Sequence, residues 1–183
     1  MSPRDEGGLG ILFVCTGNIC RSPFAELRTA AALSGTPHRL ASAGVRAVTG
    51  APMDALMAAQ LTARRIDPSR HRGRQLVERL IDDADLVLTF EFRQRLHVLD
   101  AWPQAIDKTY SLRHFAVLAA ALPPSTPASR LVEEVDRLAV PDSMTNDIAD
   151  PYRRGRRAAA ACAAEIDAAL GTIVPVLRRV ASI

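Results

Sequence analysis

Nine residues near the N-terminus, Cys15-Thr16-Gly17-Asn18-Ile19-Cys20-Arg21-Ser22-Pro23, combine the groups needed to bind an oxyanion and attack it. Cys15 and Arg21 are separated by five residues. A loop of that length can close into a cradle, with Cys15 at its base and the planar Arg21 fork reaching two phosphate oxygens. Gly17 and Asn18 are residue types that tolerate the positive φ angles that curl backbone N–H groups into an anion-binding nest. Such a nest and Arg21 both favour a thiolate at Cys15, which is the nucleophilic form. The Ser22 hydroxyl can donate to that sulfur, as attacking thiolate or as leaving group. The expected roles are therefore catalytic for Cys15 and Arg21, and phosphate binding for Thr16, Gly17, Asn18, Ile19, Cys20 and Ser22. A cysteine merely buried at a strand end would give the same pair of letters by coincidence, so the flanking elements decide between the two.

Those elements favour the cradle. Leu9 to Val14 is a short, wholly apolar run, as expected of a strand buried on both faces of a parallel sheet. Pro23 to Leu33 reads as a helix with Phe24, Leu27 and Ala31 on one face. Strand, tight loop and helix open a βαβ unit, and the helix N-terminus adds free N–H groups and a positive dipole end at the loop. Further strands are expected at Arg39–Ala43, Asp85–Thr89 and Lys108–Ser111. Helices are expected at Met53–Arg64, Arg74–Ile81, Glu91–Leu99, Leu112–Leu122 and Arg157–Val180, the last with Ile166, Leu170, Ile173, Leu177 and Val180 on one face and a kink at Pro175. The alternation implies an α/β three-layer sandwich around a four-stranded, mostly parallel sheet.

The bulk properties set outer limits. At 183 residues the chain fits one domain, read here as residues 9–183 after a disordered tail at 1–8. The segment 123–145 holds four prolines around a short amphipathic stretch, Ser129–Ala139, and reads as an insertion or mobile excursion. Hydrophobic residues make up 48% and can fill a core, but aromatics are 4%, so that core is aliphatic. A net charge of +3, nearly all from arginine since Lys108 is the only lysine, is too small for a nucleic-acid binder. The polar stretch Met1–Gly8 and the short apolar run after it give neither a signal peptide nor a membrane span. Cys15, Cys20 and Cys162 make an odd count without an export signal, which points to reduced thiols in the cytoplasm. No metal or other cofactor, nucleic acid or membrane insertion is expected.

The segment FVCTGNICRSPFAE resembles the active-site loop of the low-molecular-weight protein tyrosine phosphatases, bacterial type. Ser42-Ala43-Gly44, Gly50-x-Pro52-x-Asp54, His71-Arg72-x-Arg74-Gln75-Leu76, Asp85-Leu86-Val87-Leu88 and Asp150-Pro151-Tyr152 resemble the family's other motifs, in the right order. The resemblance implies phosphotyrosine hydrolysis through a phosphocysteine at Cys15, with Asp150 as general acid and then base. Asp147, three residues upstream, is the second candidate acid. The resemblance also implies that Asn18, Ser22, Ser42 and His71 hold the loop in shape and that Tyr152 walls the substrate ring. The implied partners are a phosphorylated protein and a cognate kinase.

The chain also departs from the family pattern. Val45–Thr49 lacks the aromatic wall residue of many members, and Arg153 stands where many carry a second tyrosine. Related phosphoarginine-cleaving enzymes carry threonine at the position of Ile19; apolar Ile19 suits a flat ring and keeps phosphotyrosine ahead of phosphoarginine. Arsenate reductases of this fold need extra cysteines that residues 70–100 do not contain. A catalytically inactive phosphate-binding module would not need Cys15, Arg21 and Asp150 together. Arg153, Arg154, Arg156 and Arg157 read either as a solvated helix start or as a basic rim for an acidic partner.

Overall fold

The computed structural model describes residues 8–138 and 140–179. Four strands, β1 (Gly10–Cys15), β2 (Arg39–Gly44), β3 (Leu86–Thr89) and β4 (Thr109–Ser111), form one sheet in the order β2-β1-β3-β4, with every pair parallel. Around them lie α1 (Arg21–Ala32), α2 (Ala55–Thr62), α3 (Glu78–Asp82), α4 (Phe92–Ala101), α5 (Leu112–Ala121), α6 (Leu131–Arg137) and α7 (Gly155–Arg178). The expected α/β sandwich is observed.

The strand period of two sorts the helices into layers. Ile11, Phe13 and Cys15 of β1 pack with residues of α1, α2, α5, α6 and α7, including Phe24, Met57, Phe115 and Ile166. Leu12 and Val14 face the other way, onto Leu76, Ile81 of α3 and Val98 of α4. With both faces covered, β1 and β3 are buried throughout, which accounts for their unbroken apolar runs. The chain leaves β1 for β2 on one side and returns to β3 on the other, so the order switches between β1 and β3. Ligands of open α/β sheets lie at such a switch point, beyond the carboxyl ends of the strands. Cys15 is the last residue of β1, and Phe90-Glu91 follows β3 directly.

Two local expectations are corrected. Residues 74–77 are not helical: Gln75 forms a parallel bridge to Gly44, the Gly44 N–H donates to Arg74 O (3.0 Å) and the Leu76 N–H to Gly44 O (2.8 Å). This stretch satisfies the open end of the edge strand β2, which an added helical turn would leave bare. On α1 the buried stripe is Ser22, Ala25 and Thr29 beside Phe24, while Leu27 is half-buried and Ala31 faces solvent. α7 runs through Pro175 to Arg178, and its expected core face holds at Ile166, Leu170, Ile173 and Leu177; Val180 lies outside the described residues.

The 123–145 span carries α6, whose Leu131 and Val135 are buried in the core; Ala139 lies outside the described residues. Of the N-terminal tail only Gly8 is described, and its backbone passes close to that of Pro37. α7 is long and apolar enough to cross a membrane by length and composition, but half of that window is buried within this fold. Its Asp167 bridges Arg28 and Arg64, as suits a core helix.

Gly44 ties the sheet to the loop. A Cβ there would meet Thr16 O at 2.6 Å and Asn18 N at 3.0 Å, all backbone atoms that cannot swing aside. Gly44→Ala should therefore destabilise the fold by about 1–3 kcal/mol, the usual range for overpacking, and lower with it the turnover that the resemblance implies. Urea unfolding followed beside turnover checks this; an unchanged midpoint would mean that the loop tolerates the displacement.

Candidate active site

The loop after β1 is shaped by what its carbonyls do. Cys15 O, Thr16 O and Gly17 O accept from the N–H groups of Val45, Arg46 and Val48 (2.9–3.0 Å), and Ile19 O accepts from Asp54 N–H (2.8 Å). Asn18 O accepts from His71 Nε2 at 2.7 Å, which makes Nε2 the protonated ring nitrogen, and Cys20 O accepts from Phe24 N–H inside α1. In a planar trans peptide the C=O and the following N–H point opposite ways. Six carbonyls bonded away from the loop's interior thus turn the N–H groups of Thr16 through Arg21 towards it. No side chain caps the N-terminus of α1, so its first N–H groups join the same convergence. The left-handed residue is Asn18 (φ 54°), whereas Gly17 keeps a conformation open to any residue, contrary to the expectation for that position.

Asn18 is fully buried and its side chain is the hub of the supporting network. Nδ2 donates to Ser22 Oγ (2.9 Å) and Ser42 Oγ (2.8 Å), while Oδ1 accepts from Arg74 N–H (2.9 Å). Ser42 Oγ in turn donates to Glu26 (2.5 Å). Ser22 Oγ accepts from Asn18 and lies 2.9 Å from Cys15 Sγ and 3.4 Å from Ala43 O, so its one proton is within reach of the sulfur as well as of that carbonyl. Asn18, Ser22, Ser42 and His71 are thus brought together around the loop. Thr16 Oγ1 accepts from Gln94 Nε2 (3.2 Å).

Arg21 is buried, with both terminal nitrogens of its head group engaged. Nη1 donates to Glu91 and to Ile148 O (2.9 Å), and Nη2 lies 3.3 Å from Asp150 Oδ1. Nε is buried without a hydrogen-bond partner. Burial opposes the Arg21 charge, but the neighbouring Cys15, Glu91 and Asp150 outweigh it and hold its pKa above the ordinary value. Glu91 was not found from sequence. Its signal was position, a carboxylate just past the end of a central strand at the switch point.

Asp150 is partly exposed and accepts from Tyr152 N–H (3.4 Å). Asp147 is committed elsewhere: its Oδ1 accepts from Phe92 N–H (2.7 Å) at the start of α4. A cavity of about 190 Å³ opens over the loop, with Cys15, Thr16, Gly17, Cys20 and Arg21 below, Ile19, Val48 and Tyr152 as walls, and Arg46 and Asp150 also lining it. A larger groove of about 630 Å³ lies between α5 and α7 and touches none of these residues. Burial, with Asp54, Cys15 and Asp150 nearby, pushes the Cys20 thiol well above its usual range, and burial chiefly pushes Cys162 up to about 12, so both stay neutral thiols. Among the described residues no group of three or more His, Cys, Asp or Glu is placed to hold a metal.

Against known proteins, residues 10–122 match the family model for low molecular weight phosphotyrosine protein phosphatase. A low molecular weight protein-tyrosine-phosphatase of Acinetobacter johnsonii is 41% identical over 108 residues, 57% of this chain and 72% of that protein. A protein-arginine-phosphatase of Geobacillus stearothermophilus is 38% identical over 106 residues, 57% of this chain and 70% of that one. Among solved structures, the Geobacillus stearothermophilus arginine phosphatase superposes with TM-score 0.73 at 29% identity over 93% of both chains. The Erwinia amylovora tyrosine phosphatase does so with TM-score 0.70 at 27% identity over 90% of both. With the matched span running from β1 through α5 and carrying the whole phosphate-sized loop, the chain belongs to the low molecular weight phosphotyrosine protein phosphatase family.

Proposed function

We propose that this chain hydrolyses phosphotyrosine in proteins, with Cys15 as nucleophile, Arg21 as phosphate clamp and Asp150 as acid and base. One observation carries the reading: the buried Nε of Arg21 has no hydrogen-bond partner, in a side chain that lines the same cavity as Cys15. Glu91 and Ile148 O occupy Nη1 and Asp150 lies 3.3 Å from Nη2, so one phosphate oxygen can take Nε and a second can take Nη2 as Asp150 turns to the leaving oxygen. The inward N–H groups of Thr16 to Arg21 would take the rest of the phosphate's charge, and more strongly as it spreads over the equatorial oxygens in the transition state.

The chemistry then runs in two displacements. The Cys15 sulfur forms a bond to phosphorus as the bond to the phenolic oxygen breaks, and the Asp150 carboxyl gives that oxygen its proton. Asp150, now a carboxylate, takes a proton from water as the water oxygen attacks phosphorus and the S–P bond breaks. Ser22 steadies the departing thiolate by hydrogen bond. The product phosphate leaves a free Cys15. A thiolate nucleophile needs a reducing compartment, hence a cytoplasmic site of action, with a tyrosine kinase supplying the substrate.

The likeness to an arginine phosphatase favours phosphoarginine as a second reading. Ile19, Val48 and Tyr152 give apolar and aromatic walls to a narrow slot. A phenyl ring fits such walls, whereas a guanidinium would lose hydrogen bonds to water that Ile19 cannot replace. Unpaired polar groups of that kind cost about 1–3 kcal/mol. Phosphoserine is too short to reach the sulfur from the rim.

Cys15→Ser is expected to abolish hydrolysis of para-nitrophenyl phosphate while vanadate binding survives; turnover above trace level would remove Cys15 as nucleophile. Asp150→Asn should slow esters of high leaving-group pKa by about 10²–10⁴-fold and activated esters far less. A uniform loss across the ester series, or a graded loss in Asp147→Asn instead, would reassign the acid. With phosphopeptides, phosphotyrosine should be preferred over phosphoarginine by about tenfold to a hundredfold, and Ile19→Thr should narrow that gap. A wild-type preference for phosphoarginine would overturn the reading of Ile19.

A further inference from the structure

Four of the five residues after Tyr152 are arginines: Arg153, Arg154, Arg156 and Arg157. All four are exposed. Arg153 stacks its guanidinium on the Tyr152 ring, 5.1 Å from the centroid, and so stands at the lip of the cavity. Arg46, also exposed, lines the same cavity from the segment after β2. The carboxylates that could neutralise the cluster are engaged elsewhere: Asp150 is turned to Arg21, and Glu165, farther along α7, pairs with Arg113.

Folding alone does not account for this arrangement. The first turn of α7 contains no acidic residue, Arg154 is its N-cap residue, and Arg156 and Arg157 follow at once. Cations at a helix N-terminus oppose the dipole. Arg153 moreover adopts φ 58°, a left-handed conformation that is uncommon outside glycine and asparagine and that places it over Tyr152. A set of charges that the helix would be more stable without, held beside a cavity that takes one phosphorylated side chain, is best explained by what flanks that side chain.

We infer that this rim is a docking surface for acidic residues flanking the phosphotyrosine of the substrate, an inference that rests on the phosphatase reading above. With the phosphate on the loop and the ring between Ile19 and Tyr152, the substrate main chain must cross the mouth of the cavity. Its neighbouring residues then lie within reach of Arg46 on one side and of Arg153 to Arg157 on the other. Each exposed ion pair is weak, but a row of like charges acts together over about a Debye length, roughly 8–10 Å at moderate salt. It raises the encounter rate and selects the approaching chain by charge. The aromatic that could stack on a nucleobase, Tyr152, is already used by the cavity wall and by Arg153, which favours an acidic peptide over a single-stranded nucleic acid.

The test compares two phosphotyrosine peptides of equal length, one flanked by Asp and Glu and the other by Asn and Gln. Wild type is compared with the triple variant Arg154→Gln/Arg156→Gln/Arg157→Gln, at low salt and at about 1 M salt, where the Debye length is near 3 Å. Wild type should favour the acidic peptide by about tenfold in kcat/KM at low salt, mostly through KM, and lose that preference at high salt. The variant should lose it at both, with para-nitrophenyl phosphate turnover unchanged. Equal turnover of the two peptides by wild type, or an acidic preference that survives in the variant, overturns the inference. So does tight binding of duplex DNA or anionic phospholipid vesicles that the variant loses without any peptide preference. The same pair made with phosphoarginine separates the two readings: hydrolysis of those alone overturns phosphotyrosine as substrate, while the effect of acidic flanks still decides the rim.

Discussion

Everything in this site follows from turning six consecutive carbonyls outward. Backbone polar groups buried without partners are costly, so a loop can gather its N–H groups in one place only if its C=O groups are satisfied somewhere else. Here the partners come from distant segments: Val45, Arg46 and Val48 after β2, Asp54 before α2, His71 before the β2-edge bridge, and α1 itself. The left-handed Asn18 makes the curl, and its buried side chain joins Ser22, Ser42 and Arg74 to it. The loop is therefore a tertiary structure, and no part of it would hold this shape in an isolated peptide. The close approach of Gly44 to Thr16 and Asn18, and of Gly73 to Val48 O, shows how tightly these segments are stacked.

Arg21 poses the opposite problem, a buried cation. Its removal from water must be offset by charge and hydrogen bonds, and an incompletely paired buried charge is unfavourable. Glu91 and Ile148 O satisfy one nitrogen, while the Nε edge remains for an incoming anion. On the proposed reading, a phosphate bound at Nε relieves part of that deficit, which directs binding energy to the reacting group. The β1–β3 switch makes the arrangement possible, since it places the end of β1 and the residue after β3 side by side.

The phosphate loop was legible in the sequence because it is local: strand, loop and helix are contiguous, and each has a clear signature. The layered α/β architecture was legible for the same reason, through the apolar runs of β1 and β3. What escaped was non-local. Arg74–Leu76 has helical composition, yet it pairs with Gly44 because the β2 end requires partners. Glu91 sits 70 residues from Arg21 in sequence and reads as an ordinary helix-start acid. Gly17 misled in another way. Permission to adopt positive φ is not an obligation, and here the neighbouring Asn18, anchored by its side chain, takes that conformation. The α1 face was misjudged at Ala31 because alanine is small enough for either side, so periodicity alone could not place it.

The site is assembled from two parts of unequal kind. The span matched by the family model ends at residue 122, before Asp150, Tyr152 and the arginine cluster. The first part supplies the proposed phosphate cradle; the second supplies the proposed acid, the proposed aromatic wall and the charged rim. Beyond the packing of α7 on the core, the acid loop is tied to the first part just ahead of Asp150. Ile148 N–H donates to Phe90 O (2.8 Å), Ile148 O accepts from Arg21, and Asp147 caps Phe92. These contacts pin the acid loop to the end of β3 by backbone and by one carboxylate, ahead of Asp150 and without using Tyr152 or any of the four arginines. The rim can therefore vary in charge and in aromatic content while the acid stays in register with the cradle, since the contacts that set the register lie upstream of the residues that face the substrate.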